Sequence, residues 1–271
     1  MKKIKAAIKN IIYNLFPKVN GLNVVRVLAG PAKRTKMMLD LRIGGSYFIG
    51  NYDKWIFDRV PLKDILKPGM VAWDCGAFYG YYGAIFRNLV GKTGNVEIFE
   101  ASSTNFNVVT NLPQLNKWDN VRVHNLAVGP DHSSIKFTTN LGGSSGPYGL
   151  SKTYNESEAE LEIETVACSG VDELIEERGI AIPDLIKFDL ESAEIFALKN
   201  GHNLFTTKKP IILLELHGQE ALQAAAEFIE QYKYKAIIIY EMNMPNKRVF
   251  TTKEALLGIG YLPHMLYLYA N

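Results

Sequence analysis

Met70-Val71-Ala72-Trp73-Asp74-Cys75-Gly76-Ala77-Phe78-Tyr79-Gly80 is the stretch on which the fold turns. Pro68-Gly69 stands before it, so the apolar run from Met70 to Trp73 reads as a strand entered from a turn. Asp74 closes the run, and Gly76 and Gly80 permit a tight turn with close approach of backbone to a ligand. Tyr81 to Val90 then reads as a helix stopped by Gly91. Strand, glycine turn and helix make the opening unit of a doubly wound α/β sheet, which binds ligands at the carboxyl ends of its strands. The spacing is G-x-x-x-G and not the G-x-G-x-x-G that cradles a pyrophosphate. Asp74 suits a cationic ammonium group, which would sit badly beside a phosphate.

Working outward toward the C-terminus, short apolar runs alternate with helical patterns. Val96 to Phe99 is the second strand, Ser102 or Ser103 caps the next helix, and Val121 to Val123 is the third strand. Ser134 to Thr139 and Glu160 to Val166 alternate at period two, which predicts an inserted antiparallel hairpin. Its Gly/Ser-rich tip, Gly142 to Gly149, reads as a lid on the acceptor side. Asp184 to Phe188, Ile211 to Leu216, Ala236 to Tyr240 and His264 to Tyr269 complete seven strands, with a helix over Gln219 to Tyr232. The expected architecture is α/β and Rossmann-like: a seven-stranded, mainly parallel sheet with an inserted β-hairpin, over residues 41–271.

Working toward the N-terminus, Lys2, Lys3, Lys5 and Lys9 interleave with Ile4, Ile8, Ile11, Ile12, Leu15 and Phe16 at helical spacing. This predicts a basic amphipathic helix in an extension over 1–40, packed on the domain or on a second copy through residues 1–18. Peripheral contact with an anionic membrane is the alternative. The pattern lacks the continuous apolar core and cleavage site of a signal peptide.

The composition is that of a globular protein: 271 residues, 47% hydrophobic, 21% charged, net charge +2. No Lys/Arg block runs through the body, so a nucleic-acid partner is not expected. Cys75 and Cys168 have no metal-ligand spacing and read as buried, reduced thiols of a cytoplasmic protein. No apolar run reaches the ~20 residues of a spanning helix.

Every candidate site residue falls at a strand end. Glu100 follows the second strand, 20 residues after Gly80, where a carboxylate can accept hydrogen bonds from a ribose diol. Asp74 and Glu100 together fit an adenosine with an amino-acid tail, which describes S-adenosylmethionine better than a nicotinamide dinucleotide. Asp189, Glu191 and Glu194 converge where the fourth strand enters a helix; the last two also suit a helix start. Asp189 should point into the crevice. Glu215 and His217 share one face of the fifth strand, so His217 is a candidate general base oriented by Glu215. Phe78, Tyr79, Tyr81 and Tyr82 would stack near a sulfonium or pack the first helix. Asp189, Glu191 and Glu215 would suit Mg²⁺, though no resident metal is expected. His124, His132, His202 and His264 read as structural.

These blocks resemble the FkbM family of methyltransferases from about Gly45 to His217. The resemblance lies in Lys67 to Ala77, Phe99-Glu100, Asn125-Leu126-Ala127-Val128, Asp184 to Glu194 and Leu214-Glu215-Leu216-His217. It implies a class I methyltransferase fold, with Asp74, Gly76, Ala77 and Gly80, then Glu100, Ala101 and Ser102, then Asn125, Ala127 and Asp189 around the cofactor. It also implies O-methylation of a small-molecule or sugar hydroxyl; for such a transfer the strand-end residues themselves suggest Asp189 positioning the acceptor for His217. The chain departs from the family at Phe78, where Asn is usual, at Ser192, where Gly is usual, and at Ala101, where Pro is usual. Phe78 is expected to lose a polar cofactor contact, while Ser192 is small enough to be tolerated. A protein that binds the cofactor without turnover is the rival reading. A nicotinamide oxidoreductase is disfavoured by the glycine spacing.

Overall fold

The computed structural model describes residues 11, 13–139, 146–147 and 162–270. Three strands open it, β1 (Lys18–Val19), β2 (Leu22–Arg26) and β3 (Lys36–Leu39), paired antiparallel. Then come β4 (Val71–Cys75), β5 (Asn95–Phe99) and β6 (Val121–His124) of the main sheet. The insertion supplies β7 (Ala127–Val128), β8 (Ser133–Thr139), β9 (Gly146–Pro147) and β10 (Glu162–Ser169). The main sheet resumes with β11 (Leu185–Phe188), β12 (Ile211–Glu215), β13 (Lys235–Ile238) and β14 (Met265–Tyr269).

The main sheet has seven strands in the order β13-β14-β12-β11-β4-β5-β6. Its pairs are parallel except those made by β14, which runs antiparallel to both neighbours. Strand order reverses between β4 and β11, so the crevice of a doubly wound sheet opens at their carboxyl ends. Both faces are covered, as a parallel sheet requires. Ile186, Phe188, Leu214 and Trp73 pack into one core layer, while Leu185, Leu213, Ala72 and Ile98 pack into the other. The helices expected over Tyr81–Val90 and Gln219–Tyr232 are present with those bounds.

The expected insertion is present as β8 paired antiparallel with β10, and β10 also runs parallel to β7. Of the lid segment, only Gly146–Pro147 is described, paired with Phe137 and Thr138; the rest of that expectation lies outside the described residues.

The N-terminal region differs from the expected helical extension. Residues 11 and 13–15 are helical, but β1 to β3 follow, and residues 1–10 lie outside the described set. Val25, Val27, Met37 and Leu39 share a core layer with Ile85, Phe86 and Val90, so this hairpin packs as part of the domain. The Asn116 side chain exchanges two 2.8 Å hydrogen bonds with the Lys36 backbone and pins the hairpin edge. The chain then crosses the sheet's rim through short helices at Gly45–Ile49 and Lys54–Phe57.

Candidate active site

The turn after β4 passes three times through the left-handed region, at Gly76 (φ +81°), Phe78 (φ +50°) and Gly80 (φ +77°). The two glycines serve different ends. A Cβ on Gly76 would lie 1.7 Å from the Asp189 carbonyl oxygen, so only glycine lets β4 and β11 close at this point. A Cβ on Gly80 would strike Val109 and Leu112, so this glycine admits the neighbouring helices.

Glu100 holds the turn from the end of β5. Its Oε2 accepts from the Phe78 amide at 2.7 Å and its Oε1 from the Ser102 amide at 3.0 Å. Burial, aided by the charge of Asp74, pushes its carboxyl up to about 7 against the pull of these amides and Asn105. Phe78 is therefore left-handed because Glu100 fixes its amide there, a conformation that suits the family's usual Asn. Ser192 is left-handed as well, at φ +85°, beside Glu191 at φ +49°. Its size is tolerated, but its backbone is one that glycine adopts without strain. Ser192→Gly is expected to stabilise the fold by about 1 kcal/mol, read as a higher denaturant midpoint at unchanged m-value.

A cavity of about 400 Å³ opens beside this turn. Gly76, Phe78, Tyr79, Phe99, Glu100, Ala101 and Asn105 line one side; Leu126, Ala127, Val128, Ile135 and Phe137 form an apolar wall. Asp189, Leu190, Glu191 and Ala193 supply the floor, and Ile43, Gly44, Ser46, Tyr47 and Tyr52 complete the lining. Of the expected cofactor residues, Gly76, Glu100, Ala101, Ala127 and Asp189 reach the cavity. The others do not line it. Asp74 is fully buried, with Oδ2 accepting from the Gly83 amide at 2.7 Å, so it anchors the helix start from behind the cavity lining. Gly80 packs as described, Ala77 is 7% exposed, and Ser102 is buried as a helix N-cap. Asn125 donates to the Glu100 and Ala101 carbonyls and shapes the wall from behind. The aromatic set divides likewise: Phe78 and Tyr79 line the cavity, whereas Tyr81 and Tyr82 are core.

Lys187 was not singled out by the sequence reading, yet it organises the floor. β11 pairs in register with β4 so that Lys187 lies opposite Asp74, and Asp189 follows two residues later on the same face. The Lys187 ammonium donates to Asp189 Oδ2 at 2.9 Å and to the Gly76 carbonyl at 3.3 Å, and lies 3.9 Å from Asp74 Oδ1. Burial opposes its charge, but Asp189, Asp74 and Glu215 outweigh burial and hold it well above the usual lysine range. The signal in the sequence was a lone cation inside an apolar strand.

His217 stands behind Asp189 and Glu191, outside the cavity lining. Its Nδ1 is 2.9 Å from Oε1 of the fully buried Glu194, which also accepts the Leu190 amide at 2.8 Å. Its Nε2 faces Glu191 and Glu215 at 3.7 Å and Asp189 at 3.8 Å. The carboxylate within hydrogen-bond distance of the ring is thus Glu194 and not the expected Glu215. Burial works against the imidazolium, but the hydrogen bond to Glu194 and the surrounding acids prevail and raise His217 to about 9. Glu215 is pushed up to about 8 by burial and by Asp189. Donor atoms of Asp189, Glu215 and His217 lie within 4.8 Å of one another; the cation that answers Asp189 in this structure is the Lys187 ammonium. His264, read as structural, lies 3.6 Å from Glu215 on its outer side.

No curated protein matches the chain. Among solved structures, methyltransferase FkbM from Methylobacillus flagellatus KT aligns at 16% identity with a TM-score of 0.47, covering 74% of this chain and 44% of that one. The present chain thus spans less than half of that protein. Precorrin-6y C5,15-methyltransferase from Geobacter metallireducens aligns at 11% identity and TM-score 0.42, covering 78% and 83% of the two chains. Fibrillarin from Aeropyrum pernix, with natively bound S-adenosyl-L-methionine, aligns at 8% identity and TM-score 0.42, covering 76% and 68%. The family model of the methyltransferase FkbM domain matches residues 74–236, from Asp74 at the end of β4 into β13. That span is more than half of the chain and holds the glycine turn, Glu100, the acidic floor and His217: the chain belongs to the FkbM family of methyltransferases.

Proposed function

We propose that the protein transfers a methyl group from S-adenosylmethionine to a hydroxyl of a small molecule or sugar. The observation that carries this is the one cavity whose lining holds Gly76, Glu100 and Asp189 together. The residues fit the cosubstrate. The turn at Gly76 is kept bare of side chain by the Asp189 carbonyl, which leaves backbone for an amino-acid tail. Glu100 presents a carboxylate for a ribose diol, and Leu126, Ala127, Val128 and Phe137 offer an apolar wall to a base. S-adenosylmethionine supplies the electrophilic methyl group when bound.

The protein's part in such a transfer is alignment and proton removal, and alignment alone is worth roughly 7–11 kcal/mol. Asp189, its Oδ2 held by Lys187, orients an acceptor hydroxyl through Oδ1. The hydroxyl proton passes to that oxygen as the O–C bond forms and on to the neutral imidazole of His217, whose Nε2 lies 3.8 Å behind it, with Glu194 fixing the ring. Tyr47 and Tyr52, stacked at 4.1 Å between centroids, close the acceptor side against water. Calorimetric titration tests the cosubstrate: S-adenosylhomocysteine should bind in the micromolar range and NAD should not. Saturable binding of NAD alone would overturn the assignment.

A further inference from the structure

The N-terminal face has two properties that methyl transfer does not use. Its charge is one-sided: its described residues between 11 and 42 carry six lysines and arginines, Lys18, Arg26, Lys33, Arg34, Lys36 and Arg42, and one acid, Asp40, whereas residues 43–271 carry twenty against twenty-seven acids. Asp40 is itself answered by the Arg42 guanidinium. The same face also exposes aliphatic side chains. Ile11, Leu15, Val19, Leu28 and Ile43 are 48–73% exposed.

These groups come from three segments that the fold brings together. The Phe16 ring meets the Phe48 ring edge-on at 5.3 Å, and the Leu28 amide donates to the Phe48 carbonyl at 2.9 Å. The Lys18 ammonium and the Arg42 guanidinium lie 4.0 and 4.6 Å from the centre of the Tyr13 ring. Aliphatic tips and basic heads are therefore interleaved on one surface, with exposed Arg26 beside Leu28 in sequence. Ile43 is half-exposed on this surface and also lines the cavity, so the cavity reaches this surface.

Charge decides what can cover such a face. A second copy docking through it would set two strongly basic surfaces against each other, which is repulsive. A nucleic acid would be met by stacked aromatics and hydrogen-bond donors, and gains nothing from Ile, Leu and Val. An anionic bilayer surface satisfies both properties, with phosphates for the basic heads and acyl boundary for the aliphatic tips. No described helix is long and apolar enough to cross a membrane, so contact of this kind is peripheral.

We propose that this face docks on anionic lipid and sets the cavity mouth at the headgroup layer, so that the acceptor hydroxyl belongs to a membrane-borne molecule. The docking stands on its own observations; only the naming of the acceptor rests on the methyltransferase reading. The test is co-sedimentation of the full chain with phosphatidylcholine vesicles and with mixed phosphatidylcholine–phosphatidylglycerol vesicles. Binding is expected to the mixed vesicles only and should fall with added salt. Each basic residue near the surface contributes about fivefold, so Lys18→Gln with Arg26→Gln should lower the partition coefficient roughly 25-fold. Leu15→Asp with Leu28→Asp should abolish it. Titration with S-adenosylhomocysteine reports on the fold of each variant and separates the two readings: vesicle binding without nucleoside binding would sink the methyltransferase reading and leave the docking intact. Equal binding to neutral vesicles, no vesicle binding, a dimer that Leu28→Asp dissolves, or binding of RNA in place of vesicles would each overturn the proposal.

Discussion

In Glu100→Ala the affinity for S-adenosylmethionine falls roughly 10- to 150-fold, the loss of one charge-assisted hydrogen bond at roughly 1.5–3 kcal/mol. The structure adds a condition, because the same carboxylate holds the Phe78 and Ser102 amides. Glu100→Ala therefore also loosens the turn, and affinity must be read on folded protein. Glu100→Gln separates the effects: it keeps the volume and one acceptor oxygen, so its affinity should lie between those of Ala and the parent.

Protonation sharpens this prediction. Glu100 titrates near 7 in the ligand-free protein, above its ordinary 4.5, because it is buried. The folded state thus holds the proton longer than the unfolded chain does. Its contribution to stability is full below about 4.5 and is lost as pH rises through about 7. Ligand binding has the opposite dependence, since a diol donates to the ionised form. Affinity in the parent should increase as pH rises through 7, and Glu100→Gln should remove that limb. Calorimetry showing unchanged affinity in Glu100→Ala at pH 8, where the parent's carboxylate is ionised, would take Glu100 out of the site.

How much of this was legible in the sequence follows from what each residue does. The inner strands of the main sheet are buried on both faces, so they read as apolar runs, and all seven were placed within a residue or two. β2 was not legible because Asn23, fully buried, interrupts its inward row; its side chain serves the Tyr13 and Phe16 carbonyls and the Leu41 amide instead. The strand-end rule points to Glu100 and Asp189, and both line the cavity. It misplaced Asp74, because only the register of β4 against β11 reveals Lys187 opposite it and the Gly83 amide beneath it. Alternation along a strand paired His217 with Glu215, but β12 ends at Glu215, and beyond that point alternation no longer fixes direction. The ring turns to Glu194, a residue whose position at a helix start disguised it. The left-handed backbone at Phe78 and Ser192 is not announced by these residue types; only the family's usual Asn and Gly at the two positions point to a positive φ.

The largest effect is expected at His217. A base must be neutral to accept a proton, and the Glu194 carboxylate with the surrounding acids holds this imidazole charged up to about pH 9. Turnover should therefore rise about tenfold per pH unit from 7 to about 9 and level off above it. His217→Ala should lower turnover by ~10²–10⁴ and flatten that limb, while affinity for S-adenosylhomocysteine stays near the parent value, because the ring lies behind Asp189 and away from Glu100. Glu194→Gln is the more telling variant. Its amide can still meet Nδ1, but without the negative charge the imidazole's pKa should fall toward the ordinary 6.5, and the rising limb should move to lower pH with it. A merely structural His217–Glu194 pair would lower the melting temperature in both variants and leave the pH dependence of turnover where it was. Single-turnover rates measured across pH 6 to 10 on folded protein decide the matter: a His217→Ala enzyme with the parent's rate and limb would transfer the proton's destination to the carboxylate of Asp189 itself.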